Sequence, residues 1–148
     1  MLRKLKRFWA RSDRERWLLI GALVLLPAAK FSLAVGGFNR TRKAFQIVFP
    51  VASRPLNGPS TEQRADAAMR SVRSAALNGV CRTKCLHDSL VLWALLRREG
   101  LNPTLRFGAR RQDGVFEAHA WVELDSLRLD TRADNVEAPF VPFGSGSA

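Results

Sequence analysis

Cysteine is scarce in this sequence, which contains only Cys81 and Cys85. A small secreted domain held together by disulfides needs several bridges, and two cysteines allow at most one. The sequence therefore excludes a disulfide scaffold, and a reducing cytoplasm is the compartment that fits best. Histidine is equally scarce, so His87 and His119 are the only histidines that could act as a base near neutral pH.

Long apolar runs are also missing. The most apolar stretch, residues 17–29, is thirteen residues long, whereas a helix needs roughly 20 apolar residues to span a bilayer. Pro27 lies inside the stretch and Lys30 ends it. No small-residue cleavage site follows, so we predict no cleaved signal peptide. For this stretch we favour a helix packed on protein. A helix on a membrane surface is the second interpretation, and a membrane-spanning helix is the third.

Acidic residues are few, 13 against 24 basic ones, and the net charge is +11. Such an excess attracts nucleic acid, lipid head groups or acidic peptides, and charge alone does not choose among them. Seven of the basic residues lie in the first sixteen positions. The apolar content of 47% and the length of 148 residues are ordinary for one globular domain with its own core, plus an appendage.

Capping signals place the N-terminal helices. Ser12 and Glu15 have capping-box spacing, which predicts a helix from about residue 13 into the mid-thirties, where Gly36-Gly37 ends it. The apolar run 44–51 fits either a helix or a strand. We expect this part of the chain to bind partner proteins or a membrane surface and to supply no chemistry.

The clearest linker is the segment 55–59, which is rich in proline and glycine. It divides the chain into an N-terminal helical accessory region, 1–55, and a catalytic core, 56–148. A second capping box begins at Ser60, and apolar residues follow at helical spacing as far as the stop at Asn78-Gly79.

The C-terminal half predicts one helix followed by strands. The helix runs from Cys85 to Glu99, with Thr83 as its N-cap and Gly100 as its stop. Three strands follow, 104–110, 115–124 and 127–130, joined by turns at 112–114 and 125–126. A helix packed on an antiparallel sheet is an α+β fold.

Cys85 is placed for nucleophilic chemistry because it falls in the first turn of its helix. Unpaired N–H groups and the helix dipole favour a thiolate there, and the same amides can donate to an oxyanion. Cys81 is more simply a small buried residue. Considered without its neighbours, either cysteine is more often a buried structural residue than a nucleophile.

A nucleophilic thiol needs a base to take its proton, and the two histidines differ in position. His87 lies two residues from Cys85, and helix positions i and i+2 do not face each other. We therefore expect His87 to face solvent or an interface. His119 lies on the second strand and must be brought to Cys85 by the fold, which is the usual arrangement in Cys–His catalysis.

Strand geometry predicts the third group. If Asp125 and Ser126 form a two-residue hairpin turn, Glu123 pairs with Arg128 and Asp130 comes onto the face of His119. Asp130 can then hold the imidazole in its working tautomer, whereas Asp125 occupies the turn and is a weaker candidate. The alternative partners for Asp130 are Arg128 and Arg132.

The same residues carry a family resemblance, over about residues 75 to 132. Its most specific parts are a C-L-x-x-S-L helix start at Cys85 and an A-H-A-W-V-E strand around His119, in that order. Together with L-R-R-E-G at 96–100 and L-R-F-G at 105–108, they resemble the transglutaminase-like cysteine peptidase of lasso-peptide biosynthesis.

That resemblance implies a papain-like or transglutaminase-like core and a leader peptidase with Cys85 as nucleophile, His119 as base and Asp130 as orienting acid. Its substrate would be a ribosomally made precursor peptide, and an ATP-using lasso cyclase would act on the freed core. The first 55 residues leave no room for a leader-recognition domain, so the resemblance is to the split form, which relies on a separate leader-binding protein. No cofactor, metal or nucleic acid is implied.

Three other interpretations stay open. One is a zinc site whose four ligands would be Cys81, Cys85, His87 and His119, although its spacing is unspecific. Another is a non-catalytic basic binding module, in which aromatic residues among the N-terminal arginines would contact a partner. The third is acyl transfer rather than hydrolysis, since the same triad serves both.

Overall fold

A computed structural model describes residues 12–53, 58–79, 81–131 and 140–143 of the chain. Within these residues, three helices precede one small antiparallel sheet. The elements are α1 Asp13–Val48, α2 Thr61–Asn78, α3 Cys85–Arg98, β1 Thr104–Gln112, β2 Val115–Leu124, β3 Leu127–Leu129 and β4 Val141–Pro142. The predicted α+β class is confirmed.

The helix α1 is broken where the sequence predicted its end. Gly37 has φ 69° and ψ 177°, a conformation that is open essentially to glycine alone. A second helical segment follows to Val48, so most of the apolar run 44–51 is helical. The hydroxyls of Ser32 and Thr41 lie 2.9 Å apart and connect the two segments across the break.

The predicted caps differ in completeness. At α2, Ser60 Oγ accepts from the Gln63 N–H at 3.2 Å and Gln63 Oε1 accepts from the Ser60 N–H at 3.1 Å, which is a full capping box. At α1, Ser12 Oγ accepts from the Glu15 N–H at 3.3 Å, and the Glu15 carboxylate accepts from Arg70 of α2. The second interaction joins α1 to α2.

The core is centred on α3, whose residues from Asp88 to Leu96 are all buried. One side of α1 packs on it through Leu18, Ala22, Leu26 and Ala29, and α2 packs through its alanines and Val72. The sheet closes the core with Val122, Leu124 and Leu129. The core thus draws residues from both sides of the segment 55–59, and the division into two domains there stays a prediction.

The sheet has the strand order β3-β2-β1-β4. Both hairpins turn through two residues with positive φ, Asp113 and Gly114 in the first, Asp125 and Ser126 in the second. Such turns match the twist of the flanking strands and fix their register. The short edge strand β4 was not predicted.

Candidate active site

The start of α3 differs from the prediction by one residue. The N-cap is Lys84, not Thr83, and Cys85 is the first helical residue. The Lys84 N–H donates to His87 Nδ1 at 3.0 Å, so an imidazole rather than a threonine hydroxyl satisfies this part of the helix start. His87 is half-buried here, and burial lowers its pKa below the ordinary value. The observed contact of the His87 side chain is therefore with the backbone at the start of α3.

The Cys85 thiol is half-buried and lies within interaction range of the His119 imidazole. Interaction with this imidazole lowers the thiol pKa below its ordinary value; burial opposes the shift, while backbone groups of Ala120 and Leu86 add to it. The first turn of a helix favours a thiolate for the same electrostatic reason. Cys81 is also half-buried rather than buried, and both cysteines are free.

The imidazole of His119 is held on its other side by Asp130. His119 Nε2 lies 2.6 Å from Asp130 Oδ2, and only 13% of the His119 side chain and 5% of the Asp130 side chain are exposed. The hydrogen bond with Asp130, followed by the interaction with Cys85, raises the pKa of His119 to about 9. Because Nε2 is engaged by Asp130, Nδ1 is the ring nitrogen left to exchange a proton with Cys85.

The hairpin register that brought Asp130 to His119 is the predicted one. Glu123 pairs with Arg128 and Leu124 with Leu127 across the turn. Asp125 lies in the turn with φ 48° and is exposed. The structure therefore brings Cys85, His119 and Asp130 together and leaves Asp125 in the turn, while the catalytic roles of the three residues stay a prediction.

Two further residues surround the imidazole. Arg128 Nη2 donates to Asp130 Oδ2 at 3.0 Å, the same oxygen that His119 contacts, and its guanidinium lies 4.4 Å from the Trp121 ring centroid. Phe140 stacks on His119 with ring centroids 4.8 Å apart. Arg128 was predicted as an alternative to His119 as the partner of Asp130, whereas in the structure both residues contact the same Asp130 oxygen. Nothing in the sequence pointed to Phe140, because it lies in no predicted helix or strand.

A buried hydrogen bond fixes α3 relative to β2. Ser89 Oγ donates to the Ala120 carbonyl oxygen at 2.8 Å. Ser89 lies one helical turn after Cys85, and Ala120 follows His119, so this contact sets the separation between thiol and imidazole. The serine belongs to the C-L-x-x-S-L pattern, which is where the sequence signalled it.

Gly108 lies opposite His119 in the β1–β2 register. A Cβ at this position would come within 2.7 Å of the Trp121 ring and 2.6 Å of the Val141 carbonyl oxygen. A side chain is therefore excluded, and the space is taken by the indole that Arg128 covers. Packing between strands, rather than a positive φ, requires glycine here.

The zinc alternative finds no support in the geometry. In the described part of the chain, no group of three or more histidine, cysteine, aspartate or glutamate side chains is arranged to hold a metal ion. Cys85 and His119 contact each other, while His87 is engaged at the helix start.

Comparison with protein families agrees with this architecture. The family model of the transglutaminase-like superfamily matches residues 23–140, about four fifths of the chain. The chain belongs to the transglutaminase-like superfamily. Members of this superfamily are commonly cysteine proteases or transglutaminases. Neither the curated proteins nor the solved structures compared with the chain gave a match.

Membership in the transglutaminase-like superfamily bears on two expectations. It confirms the predicted core of a helix packed on an antiparallel sheet. The matched region begins at residue 23, inside α1, and therefore includes most of this long helix. The finer expectation, a leader peptidase of lasso-peptide biosynthesis, goes beyond what the family match contains.

Proposed function

We propose that the chain is a cysteine peptidase that removes the leader from a ribosomally made lasso-peptide precursor. The observation that carries the proposal is the grouping of the Cys85 thiol, the His119 imidazole and the Asp130 carboxylate, in which His119 Nε2 lies 2.6 Å from Asp130 Oδ2 and the thiol interacts with the same ring. The C-L-x-x-S-L and A-H-A-W-V-E motifs, at the separation that the lasso peptidases have, supply the substrate class.

In the proposed reaction the Cys85 thiolate attacks the carbonyl carbon at the leader–core junction. The bond from sulfur to carbon forms, the peptide C–N bond breaks, and the His119 imidazolium gives its proton to the leaving amine of the core. A water then attacks the thioester, His119 takes its proton, the carbon–sulfur bond breaks to restore the Cys85 thiolate, and the leader leaves with a free carboxylate. Asp130 stabilises the imidazolium each time it forms.

The proposal includes three partners. The precursor peptide is the substrate, a separate leader-binding protein presents it, and an ATP-using cyclase closes the ring on the freed core. The thiolate chemistry needs a reduced Cys85, which suits the cytoplasm. A bridge between Cys81 and Cys85 would silence the nucleophile.

Mass spectrometry of a reconstituted reaction tests the proposal. The purified chain is mixed with the precursor and its leader-binding protein, and the intact and cleaved peptides are identified over time. We expect free leader and free core in the complete mixture, and neither product when Cys85 is blocked beforehand with a thiol alkylating reagent. An uncleaved precursor in the complete mixture contradicts the proposal.

Acyl transfer to an amine is the second candidate, because the superfamily also contains transglutaminases and the same three groups would serve. The two reactions differ in what attacks the thioester, water or an amine. Adding a labelled primary amine to the reaction distinguishes them: hydrolysis leaves the label in solution, whereas transfer attaches it to the peptide.

A further inference from the structure

We propose that α1 lies in the surface of an anionic membrane, with one face in the lipid and the opposite face on the protein core. This inference is independent of the proposed peptidase activity. It starts from a row of large apolar side chains that are exposed to solvent along α1, which we call the α1 stripe: Trp17, Ile20, Val24, Phe31 and Val35.

The α1 stripe is continuous along one side of the helix. Positions 17, 24 and 31 recur every seven residues, with 20 and 35 between or beyond them, so all five lie on one face. From Trp17 to Val35 the row is about 27 Å long at 1.5 Å per residue. Trp17 is 65% exposed, Phe31 72% and Val35 72%. A soluble monomer rarely exposes so long an apolar row without a partner.

Basic residues flank the α1 stripe in the sequence. The segment that precedes the helix, residues 1–11, contains five lysines and arginines together with Phe8 and Trp9. At the other end Arg40, Arg42 and Lys43 are exposed on the second helical segment, followed by exposed Ile47 and Val48. Basic residues beside exposed apolar and aromatic side chains are what an anionic lipid surface binds.

The two acids of α1 do not change this balance, because each forms an ion pair. Asp13 pairs with Arg16 of the same helix, and Glu15 pairs with Arg70 of α2 at 3.3 Å. The charge that α1 presents around the stripe is therefore positive.

A second copy of the chain fits the α1 stripe poorly. In a parallel pair the exposed basic residues 40–43 of the two copies would lie side by side. In any arrangement each of the two chains carries +11, so like charges repel. Anionic lipid removes this repulsion.

A spanning orientation conflicts with the anchored face of α1. By length and composition alone, the helix is long and apolar enough to cross a membrane. Its other side, however, is packed in the core through Leu18, Ala22, Leu26 and Ala29. It is also held by Arg14, whose Nε donates to Glu99 at 2.8 Å, and by Lys30, whose Nζ donates to the Arg82 carbonyl at 3.1 Å. Crossing a bilayer would break these contacts.

Vesicle co-sedimentation of the full chain tests the inference. We compare neutral phosphatidylcholine vesicles with vesicles containing about one third phosphatidylserine, at low and high salt. The stripe variant carries Trp17→Ser, Val24→Ser and Phe31→Ser. Its matched control carries Leu77→Ser, Val115→Ser and Phe116→Ser, three apolar side chains of similar exposure away from the stripe.

We expect the unmodified chain and the control to bind the anionic vesicles in a salt-sensitive way, and the stripe variant to bind at least tenfold more weakly. Circular dichroism checks that all three are folded. Equal binding by the stripe variant and the control, or no preference for anionic vesicles, overturns the proposal. So does a dimer of the unmodified chain that only the stripe variant dissociates, since the stripe would then be an interface between copies.

Discussion

The candidate active site and the exposed face of α1 are organised in opposite ways. At the site, three titratable groups lie together, and two of them, His119 and Asp130, are hydrogen-bonded to each other and have little exposed side-chain surface. On α1, large apolar side chains are exposed along a row and make few contacts with the rest of the fold. A site of the first kind depends on distances of tenths of an ångström, whereas a surface of the second kind depends on total apolar area and charge.

This comparison predicts how each region responds to substitution. A single atom removed from the triad should change the cleavage rate by orders of magnitude. Removing a single side chain from the α1 stripe should weaken membrane binding by a modest factor and leave the cleavage rate unchanged.

The largest effect is expected from Cys85→Ala. Removing the sulfur leaves no group that can form the thioester, so leader cleavage should fall below detection while the fold remains intact. Cys81→Ala is the matched control and should cleave at nearly the unmodified rate. Mass spectrometry measures the cleavage rate of both variants, and thermal melting checks that both are folded. Loss of cleavage in the Cys81 variant with retention in the Cys85 variant would reverse the assignment.

Asp130→Asn should have the next largest effect, by analogy with serine-protease triads in which losing the acid costs about 10⁴-fold. The amide keeps the shape, but it cannot stabilise the imidazolium that Asp130 now contacts at 2.6 Å. Asp125→Asn is the control, since asparagine also suits a turn residue with positive φ. The cleavage rates of the two variants test this prediction. Equal losses of rate in both variants would contradict the role given to Asp130.

The pH profile of cleavage should be bell-shaped. The thiolate–imidazolium pair exists above the lowered pKa of Cys85 and below the pKa of His119, which is raised to about 9. Activity therefore falls on the acid side as the thiolate gains a proton, and near pH 9 as the imidazolium loses one. A rate that keeps rising beyond pH 10 would show that a neutral imidazole is the working form.

Arg128→Gln should produce a smaller loss, on the order of tenfold, because Asp130 loses the Arg128 hydrogen bond that helps to hold its carboxylate in place. The variant also removes a cation from beside the imidazolium, which raises the pKa of His119 and moves the alkaline limb upward. Asp130→Asn moves the same limb downward, because it removes the group that raises this pKa most. A purely structural role for Arg128 would lower the rate without moving the limb.

The smallest effect on chemistry is expected from the stripe variant with serine at positions 17, 24 and 31. In vesicle-free solution its cleavage rate should stay within about twofold of the unmodified chain, since these side chains face away from the core and contribute little burial. The assay is the reconstituted cleavage reaction. A loss of tenfold or more would show that the stripe contributes to the reaction itself, which would remove the contrast between the two regions.

The hairpin is the part of the site that the sequence determined by itself. A two-residue turn at Asp125 and Ser126 sets the register between β2 and β3, and the alternation of side chains then places Asp130 beside His119. Helix signals were also local: the capping box at Ser60 and the glycine stop after α3, where Gly100 has φ 78°, follow from backbone groups that must be satisfied nearby.

Only the tertiary structure decided the contacts between distant segments. The approach of Cys85 to His119 depends on how α3 packs on the sheet, where the buried Ser89–Ala120 hydrogen bond holds the two elements together. Lys84 replaced Thr83 as the N-cap because the ring of His87 reached back to the helix start. Likewise, Arg128 shares the Asp130 carboxylate, and Phe140 stacks on the imidazole. Periodicity and caps depend on neighbours along the chain, whereas these contacts depend on packing across it, which no local pattern encodes.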